Sequence, residues 1–113
     1  MIRRTTTLLR EREQRHVPGR LRLMQTQGIP KEIELPEIGV VVGADSACDV
    51  AVPDSVMSAK HAMIVPTREG FDVTDLGSRN GTWLDGVALT RALVPVGAML
   101  RLGETIVQLL PAE

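Results

Sequence analysis

The chain has 113 residues, a length that supports one hydrophobic core but not two independent domains. Hydrophobic residues make up 43% and charged residues 24%, as in globular proteins, while the two aromatic side chains, Phe71 and Trp83, are too few for a stacking surface that binds single-stranded nucleic acid. A single cysteine, Cys48, excludes an intrachain disulfide and a paired-cysteine metal site, and no apolar run approaches the roughly 20 residues of a membrane span, so we expect a cytoplasmic protein without a membrane segment or a cofactor.

The beginning of the chain differs from the rest in charge. Residues 1–22 contain seven arginines and two glutamates, a net charge of +5, whereas the remainder has a net charge of −6. Because Pro18-Gly19 interrupts the chain before the first strand-like run, we predict a flexible basic N-terminal arm over residues 1–17 and a folded domain over residues 18–113. We expect the arm to be a solvated extension, with contact to nucleic acid, to an acidic partner or to its own acidic domain as alternatives.

Short runs of β-branched and aliphatic residues follow one another through the domain. The predicted strands cover residues 20–25, 33–35, 40–42, 50–52, 61–65, 71–74, 83–84, 99–102 and 105–110. The segments Arg68-Glu69-Gly70, Leu84-Asp85-Gly86 and Leu102-Gly103-Glu104 are typical of tight turns between them. No segment of the domain has a sustained helical period, and the one helical candidate, Leu8–Arg15, lies in the arm. The pattern therefore predicts an all-β sandwich.

Three clusters in this background share an order and spacing with a known family. They are Val42-Gly43-Ala44, Ser58-Ala59-Lys60-His61 and Asp75-Leu76-Gly77-Ser78-Arg79-Asn80-Gly81-Thr82. Together they resemble the forkhead-associated (FHA) domain, in which a Gly-Arg pair, a Ser-x-x-His motif and an Asn-Gly-Thr motif follow one another. The resemblance extends from Arg20 to Leu110 and is specific because all three clusters are in register.

The resemblance implies an FHA-like β-sandwich of about eleven strands, whose loops at one end bind phosphothreonine in a partner protein. A phosphate group is held by charge-assisted hydrogen bonds from hydroxyl, amide and guanidinium donors. Carried onto this chain, Ser58 donates its hydroxyl to the phosphate and Asn80 binds the backbone of the ligand. Arg79 and Lys60 supply positive charge beside them.

Other residues of the motifs are expected to support the site without touching the ligand. His61 braces the loop that carries Ser58, and Gly43 and Gly81 permit close turns. Thr82 belongs to the same supporting group. We expect Trp83 to cover the sheet or to support its loop.

The chain departs from the family pattern at Ala44, where the family has arginine. Loss of a charged hydrogen-bond partner typically costs about 1.5 to 3 kcal/mol, which is roughly ten- to a hundredfold in affinity. Two functions follow from this departure. Either Arg79 and Lys60 compensate and the domain binds phosphothreonine, or the same loops make phosphate-independent contacts or drive self-association.

The arm contains a candidate ligand for its own domain. Thr5, Thr6 and Thr7 follow two arginines, as basophilic kinases prefer. FHA domains often favour an aliphatic residue three positions after the phosphothreonine, and Leu8 and Leu9 occupy that position relative to Thr5 and Thr6. Phosphorylation would then switch the arm between an intramolecular contact and association of two chains.

The layout of arm and domain is also similar to the N-terminal module of bacterial sigma-54-dependent transcriptional activators. In that setting the domain would regulate an ATPase and DNA-binding part, and this segment itself would bind neither ATP nor DNA. We do not expect an enzyme, because the Ser58 and His61 pair lacks a nucleophile elbow and an orienting acid. Two histidines, one of them in the arm, do not make a zinc site.

Overall fold

Residues 19–112, which the computed structural model describes, form eleven β-strands and no helix. The strands are β1 (Gly19–Met24), β2 (Lys31–Leu35), β3 (Val40–Gly43), β4 (Val50–Ala51), β5 (Ala62–Thr67), β6 (Gly70–Asp75), β7 (Thr82–Leu84), β8 (Val87–Leu89), β9 (Arg91–Val94), β10 (Met99–Leu102) and β11 (Thr105–Pro111). The predicted all-β sandwich is confirmed. The predicted helix at residues 8–15 lies outside the described residues.

Two sheets form the sandwich. Sheet A has the strand order β2-β1-β11-β10-β7-β8, and sheet B has the order β4-β3-β5-β6-β9. Neighbouring strands are antiparallel except β3 and β4, which are parallel. Sheet A is built around β1 and β11, which pair along their lengths from Gly19 opposite Pro111 to Met24 opposite Ile106.

The core lies between the two sheets. Along β1 and β11 every second side chain is buried, because successive residues of a strand point to opposite faces. Leu21 and Leu109 from sheet A meet Val42, Ile64 and Phe71 from sheet B. Each of these five side chains is at most 2% exposed, and burial of one such side chain is worth about 1.5 to 3 kcal/mol.

The predicted turns are present. Arg68 and Glu69 join β5 to β6, which begins at Gly70, and Gly103 lies between β10 and β11. Between β7 and β8, Asp85 has a φ of 51° and Gly86 a φ of 78°, so both central residues of this hairpin adopt the left-handed conformation that Asp-Gly favours.

Two strands were not predicted individually. Strands β8 and β9 lie in the Ala- and Leu-rich stretch 87–94, which has low intrinsic strand preference. The chain passes from one sheet to the other at Thr90, and each strand forms because a partner, β7 or β6, is available beside it.

No helix within residues 19–112 is suited to crossing a membrane.

Candidate ligand-binding site

Three loops meet at one end of the sandwich. They are the β3–β4 loop (residues 44–49), the β4–β5 loop (residues 52–61) and the β6–β7 loop (residues 76–81). The Ala44 N–H donates to the Ser58 carbonyl at 3.0 Å, and the Arg79 N–H donates to Ser58 Oγ at 2.9 Å. The three clusters that were distant in sequence are therefore in contact through Ser58.

A shallow cavity of about 370 Å³ lies between the second and third of these loops. Its lining consists of Ser55, Val56, Met57, Ser58, Ala59, Gly77, Arg79 and Asn80. Three of the four predicted ligand residues, Ser58, Arg79 and Asn80, thus share one cavity. Lys60 is exposed and is not part of the lining.

Ser58 is half-buried and keeps one donor for a ligand. Its Oγ accepts a hydrogen bond from the Arg79 backbone N–H. A serine hydroxyl has one proton to donate and two lone pairs to accept with. The hydroxyl proton can therefore point to an acceptor, such as a phosphate oxygen, while the backbone contact holds the oxygen in place.

Asn80 is held through both its side chain and its backbone. Its Nδ2 donates to the Val56 carbonyl at 3.0 Å, and its own carbonyl accepts from Trp83 Nε1–H at 2.7 Å. The side-chain amide still has a second N–H and the Oδ1 acceptor, which is the donor and acceptor pair that a peptide backbone needs. Trp83 supports this loop, as we expected.

Positive charge at the site comes from the exposed Arg79 and Lys60. Neither forms an ion pair with any residue in the range 19–112. Ala44 is also exposed and bonds to the Ser58 backbone, so the position that lacks the family's arginine lies directly beside the candidate phosphate donor. The site therefore has a fixed hydroxyl and amide but only one cation within its lining.

His61 joins two of the loops from inside the core. The ring is fully buried, its Nδ1 accepts the Ser58 backbone N–H at 3.1 Å, and its Nε2 lies 2.8 Å from the Gly81 carbonyl. Because Nδ1 accepts, the proton is on Nε2 and is donated to Gly81. Both nitrogens are engaged with backbone groups, so the ring cannot act as a base on the Ser58 hydroxyl.

The remaining supporting residues also have structural contacts. A Cβ added at Gly43 would lie 2.0 Å from the Ala59 carbonyl oxygen, so only glycine allows β3 to approach the Ser58 loop. Gly81 has a φ of +87°. Thr82 is fully buried, and its Oγ1 donates to Asp75 at 2.8 Å.

Asp75 organises the Asn80 loop, a role the sequence reasoning did not assign. Its carboxylate accepts hydrogen bonds from Gly77 N–H, Ser78 N–H, Ser78 Oγ and Thr82 Oγ1. Partial burial raises the pKa of Asp75, but these donors outweigh it and the net pKa is lowered. The signal was present in the sequence, since aspartate followed by Gly-Ser is typical of a side-chain-capped turn.

Asp54 organises the Ser58 loop and was also missed. Its carboxylate accepts from the N–H groups of Val56 and Met57 in its own loop. It also accepts from Glu104 N–H at 2.8 Å and Thr105 Oγ1 at 2.7 Å in the β10–β11 turn. Burial raises the pKa of Asp54, and the four donors lower it further than burial raises it. No residue near Asp54 in the sequence indicates its bonds to Glu104 and Thr105.

The eleven-stranded sandwich with three loops meeting at one end can now be compared with known domain families. A profile of the FHA domain matches residues 40–103. The FHA domain-containing protein FhaB of Mycolicibacterium smegmatis is 35% identical over 106 residues, which cover 93% of this chain and 68% of FhaB. The chain belongs to the FHA domain family.

Solved structures share the fold. The FHA domain of the CT664 protein from Chlamydia trachomatis superposes with a TM-score of 0.77 at 24% identity, covering 85% of this chain and 99% of that domain. A domain solved in work on phosphothreonine-dependent FHA interactions superposes with a TM-score of 0.72 at 21% identity, covering 83% of this chain and 98% of that one.

The three threonines predicted as phosphorylation sites, Thr5, Thr6 and Thr7, lie outside the described residues.

Proposed function

We propose that this domain is a protein interaction module of bacterial signalling that binds a phosphothreonine-containing segment. The observation that carries the proposal is the shared cavity, in which Ser58, Arg79 and Asn80 converge from two loops. The phosphothreonine-dependent interactions of a domain with the same fold support it. Membership of the FHA family also supports the proposal, and the similar protein FhaB comes from a bacterium.

Each contact has a separate role in this proposal. The Ser58 hydroxyl donates to the phosphate, and the Arg79 guanidinium supplies a charge-assisted bond. The Asn80 amide binds the peptide backbone beside the phosphothreonine. Lys60 lies outside the cavity lining and contributes a longer-range attraction to the phosphate.

Ala44 makes this a weak phosphate site. The missing guanidinium lowers the expected affinity roughly ten- to a hundredfold relative to a site that has it. Arg79 offsets part of this loss, since it is exposed and forms no ion pair with another described residue.

A titration with paired peptides tests the proposal. Phosphothreonine peptides are compared with their unphosphorylated twins against the wild-type chain, Ser58→Ala and Asn80→Ala. Ser55→Ala is the matched control, because Ser55 lines the same cavity but its side chain forms no hydrogen bond within residues 19–112. We expect phosphate-dependent binding that both site variants lose and the control retains.

A second pair of variants tests the role of position 44. Ala44→Arg is expected to raise affinity for the phosphorylated peptide at least about tenfold. Ala47→Arg adds the same charge to the same exposed loop and should have little effect. Equal gains from both variants would mean that only net charge matters.

Ala44 also favours a second function, a phosphate-independent interaction or self-association through the same loops. Equal affinity for the phosphorylated and unphosphorylated peptides would support a phosphate-independent interaction. Absence of binding to both peptides, together with a concentration-dependent dimer, would support self-association. In a sigma-54-dependent activator these contacts would regulate an adjoining ATPase. That setting predicts that a bound peptide changes the ATPase rate of the longer protein.

The arm is a candidate ligand within this proposal. Thr5 and Thr6 have basic residues before them and leucines three positions after them. Mass spectrometry of protein from its native host should then find phosphate on residues 5–7. An unmodified arm in cells where the domain is active would remove this candidate.

A further inference from the structure

The two sheets leave a groove on one side of the sandwich. Strand β2 ends sheet A and strand β4 ends sheet B, and each has only one paired neighbour among the described strands. The groove between them has a volume of about 570 Å³. It shares no lining residue with the Ser58 cavity.

The groove has an apolar floor and a mixed rim. Leu23, Ile33, Val50 and Val52 contribute to the floor, and Ile29 on the rim is 92% exposed. An isoleucine exposed to this extent beside an apolar floor marks a surface suited to a further aliphatic contact.

Two carboxylates and one amine border the groove. Glu32 pairs with Arg20 through Oε1, and Asp49 accepts the Val41 N–H through Oδ2. Each carboxylate therefore has a second oxygen for another donor. Lys31 is the one cationic residue of the lining.

We propose that the N-terminal arm of the same chain docks in this groove without needing phosphate. Leu8 and Leu9 lie over the apolar floor, and the following arginines, Arg10 and Arg12, bond to Glu32 and Asp49. Leu8-Leu9 is the only pair of adjacent aliphatic residues in residues 3–16, and basic residues follow it at once. The segment therefore matches the groove in both polarity and charge.

The charges of the two parts favour the contact. Residues 1–17 contain five arginines and two glutamates, a net charge of +3, and residues 19–112 have a net charge of −3. The net charges of the arm and the domain are therefore opposite in sign, so the arm is attracted to the domain that carries the groove.

The chain is long enough for the contact. Leu9 precedes Gly19 by ten residues, which span at most about 36 Å. Leu23 is four residues along β1 from Gly19, or about 13 Å. A covalently attached segment within reach is present at an effective concentration near the millimolar range, so even a weak contact is populated.

Amide exchange and chemical shifts of the full chain test the docking. The variant is Leu8→Ser with Leu9→Ser, and Ile2→Ser is the matched arm control. We expect the double variant to shift the resonances of Ile33, Val50 and Ala51 and to speed exchange of the slowed amides there about tenfold, which corresponds to partial exposure of a leucine. The Ser58, Arg79 and Asn80 resonances should not move.

A reciprocal variant checks the groove itself. Ile29→Ser should shift arm resonances, whereas Ile38→Ser, which alters an exposed isoleucine outside the groove, should not. Groove shifts that persist unchanged on tenfold dilution support an intramolecular contact. Shifts that disappear on dilution, shifts centred on the Ser58 and Asn80 loops, or no shifts at all would overturn the proposal.

Discussion

The two loops that carry the candidate ligand residues are held in place differently. The Asn80 loop is stabilised from within, because Asp75 bonds to Gly77, Ser78 and Thr82, all within seven residues of it. In the Ser58 loop, the Asp54 carboxylate bonds to Val56 and Met57 nearby, but it also bonds to groups 50 and 51 residues away. The carboxylate of the Asn80 loop therefore makes only local bonds, whereas that of the Ser58 loop makes its full set only in the completed sandwich.

This difference means that the two halves of the site respond to different changes. Loss of the Asp54 bonds to the β10–β11 turn should disturb Ser58 more than the turn of Asn80. His61 links the two halves, since its ring bonds to the backbone of both loops. The site therefore has a local half, a non-local half and one buried connector.

The largest expected effect is loss of the connector. His61→Ala leaves a buried cavity and two unpaired backbone groups, and should lower the free energy of unfolding by about 3 to 5 kcal/mol. Urea denaturation measures the change. Lys60→Ala, at the neighbouring exposed position, is the control and should stay within about 0.5 kcal/mol. A His61 variant as stable as this control would show that the loops do not depend on the ring.

A smaller loss is expected from Asp54→Asn. Asparagine offers one acceptor oxygen to four donors and turns an amide N–H toward the others, so we expect about 2 to 3 kcal/mol of destabilisation. Nuclear magnetic resonance should show shifts at Ser58 but not at Gly77. Asp45→Asn on the exposed β3–β4 loop is the control. Equal disturbance of both loops would contradict their independent stabilisation.

Acid should destabilise the fold by protonating the carboxylates of Asp54 and Asp75. We expect a smaller loss of stability than from Asp54→Asn, because a protonated carboxyl group keeps both of its oxygens. The pKa values of Asp54 and Asp75 are lowered below 3.8 in the folded chain. Their contribution is therefore complete above about pH 5 and is lost as the pH falls below 3.8 through the folded pKa values. The urea midpoint should fall in that range.

The double variant Asp54→Asn with Asp75→Asn provides the comparison for the acid experiment. Its urea midpoint should depend less steeply on pH between about pH 5 and pH 2.5 than that of the wild type. Equal slopes would assign the acid sensitivity to other carboxylates, such as Asp72, whose pKa is lowered by its hydrogen bond to Arg91 and by the charge of that arginine.

The smallest expected effect is that of Trp83→Phe. This change keeps an aromatic ring and removes the indole N–H that donates to the Asn80 carbonyl. We expect a loss of about 0.5 to 1.5 kcal/mol, measured by circular dichroism because the only tryptophan is removed. The Asn80 amide resonance should shift while that of Ser58 does not. A loss of stability as large as that of Asp54→Asn would mean that the bonds of Asp75 are not enough to hold the Asn80 loop.

Most of the fold could be predicted because alternating apolar residues and Gly-containing turns are local signals. Strands β8 and β9 could not, since Ala88 and Ala92 favour no strand by themselves and form one only beside β7 and β6. Ser58, Arg79 and Asn80 were predicted from the resemblance to the FHA motifs, and they share a cavity. Lys60 was predicted from the same motif, but it does not line that cavity, because the motif determines where a residue lies on a loop and not the direction of its side chain.

The sequence by itself determined the sandwich class, the turn at Asp85-Gly86 and the internally bonded loop of Asp75, because each depends on residues close together in the chain. Only the tertiary structure decided how the site is assembled. Asp54 meets Thr105 and His61 meets Gly81 after the sheets have paired. Hydrogen bonds between distant residues leave no local pattern, because their partners are selected by the packing of the two sheets.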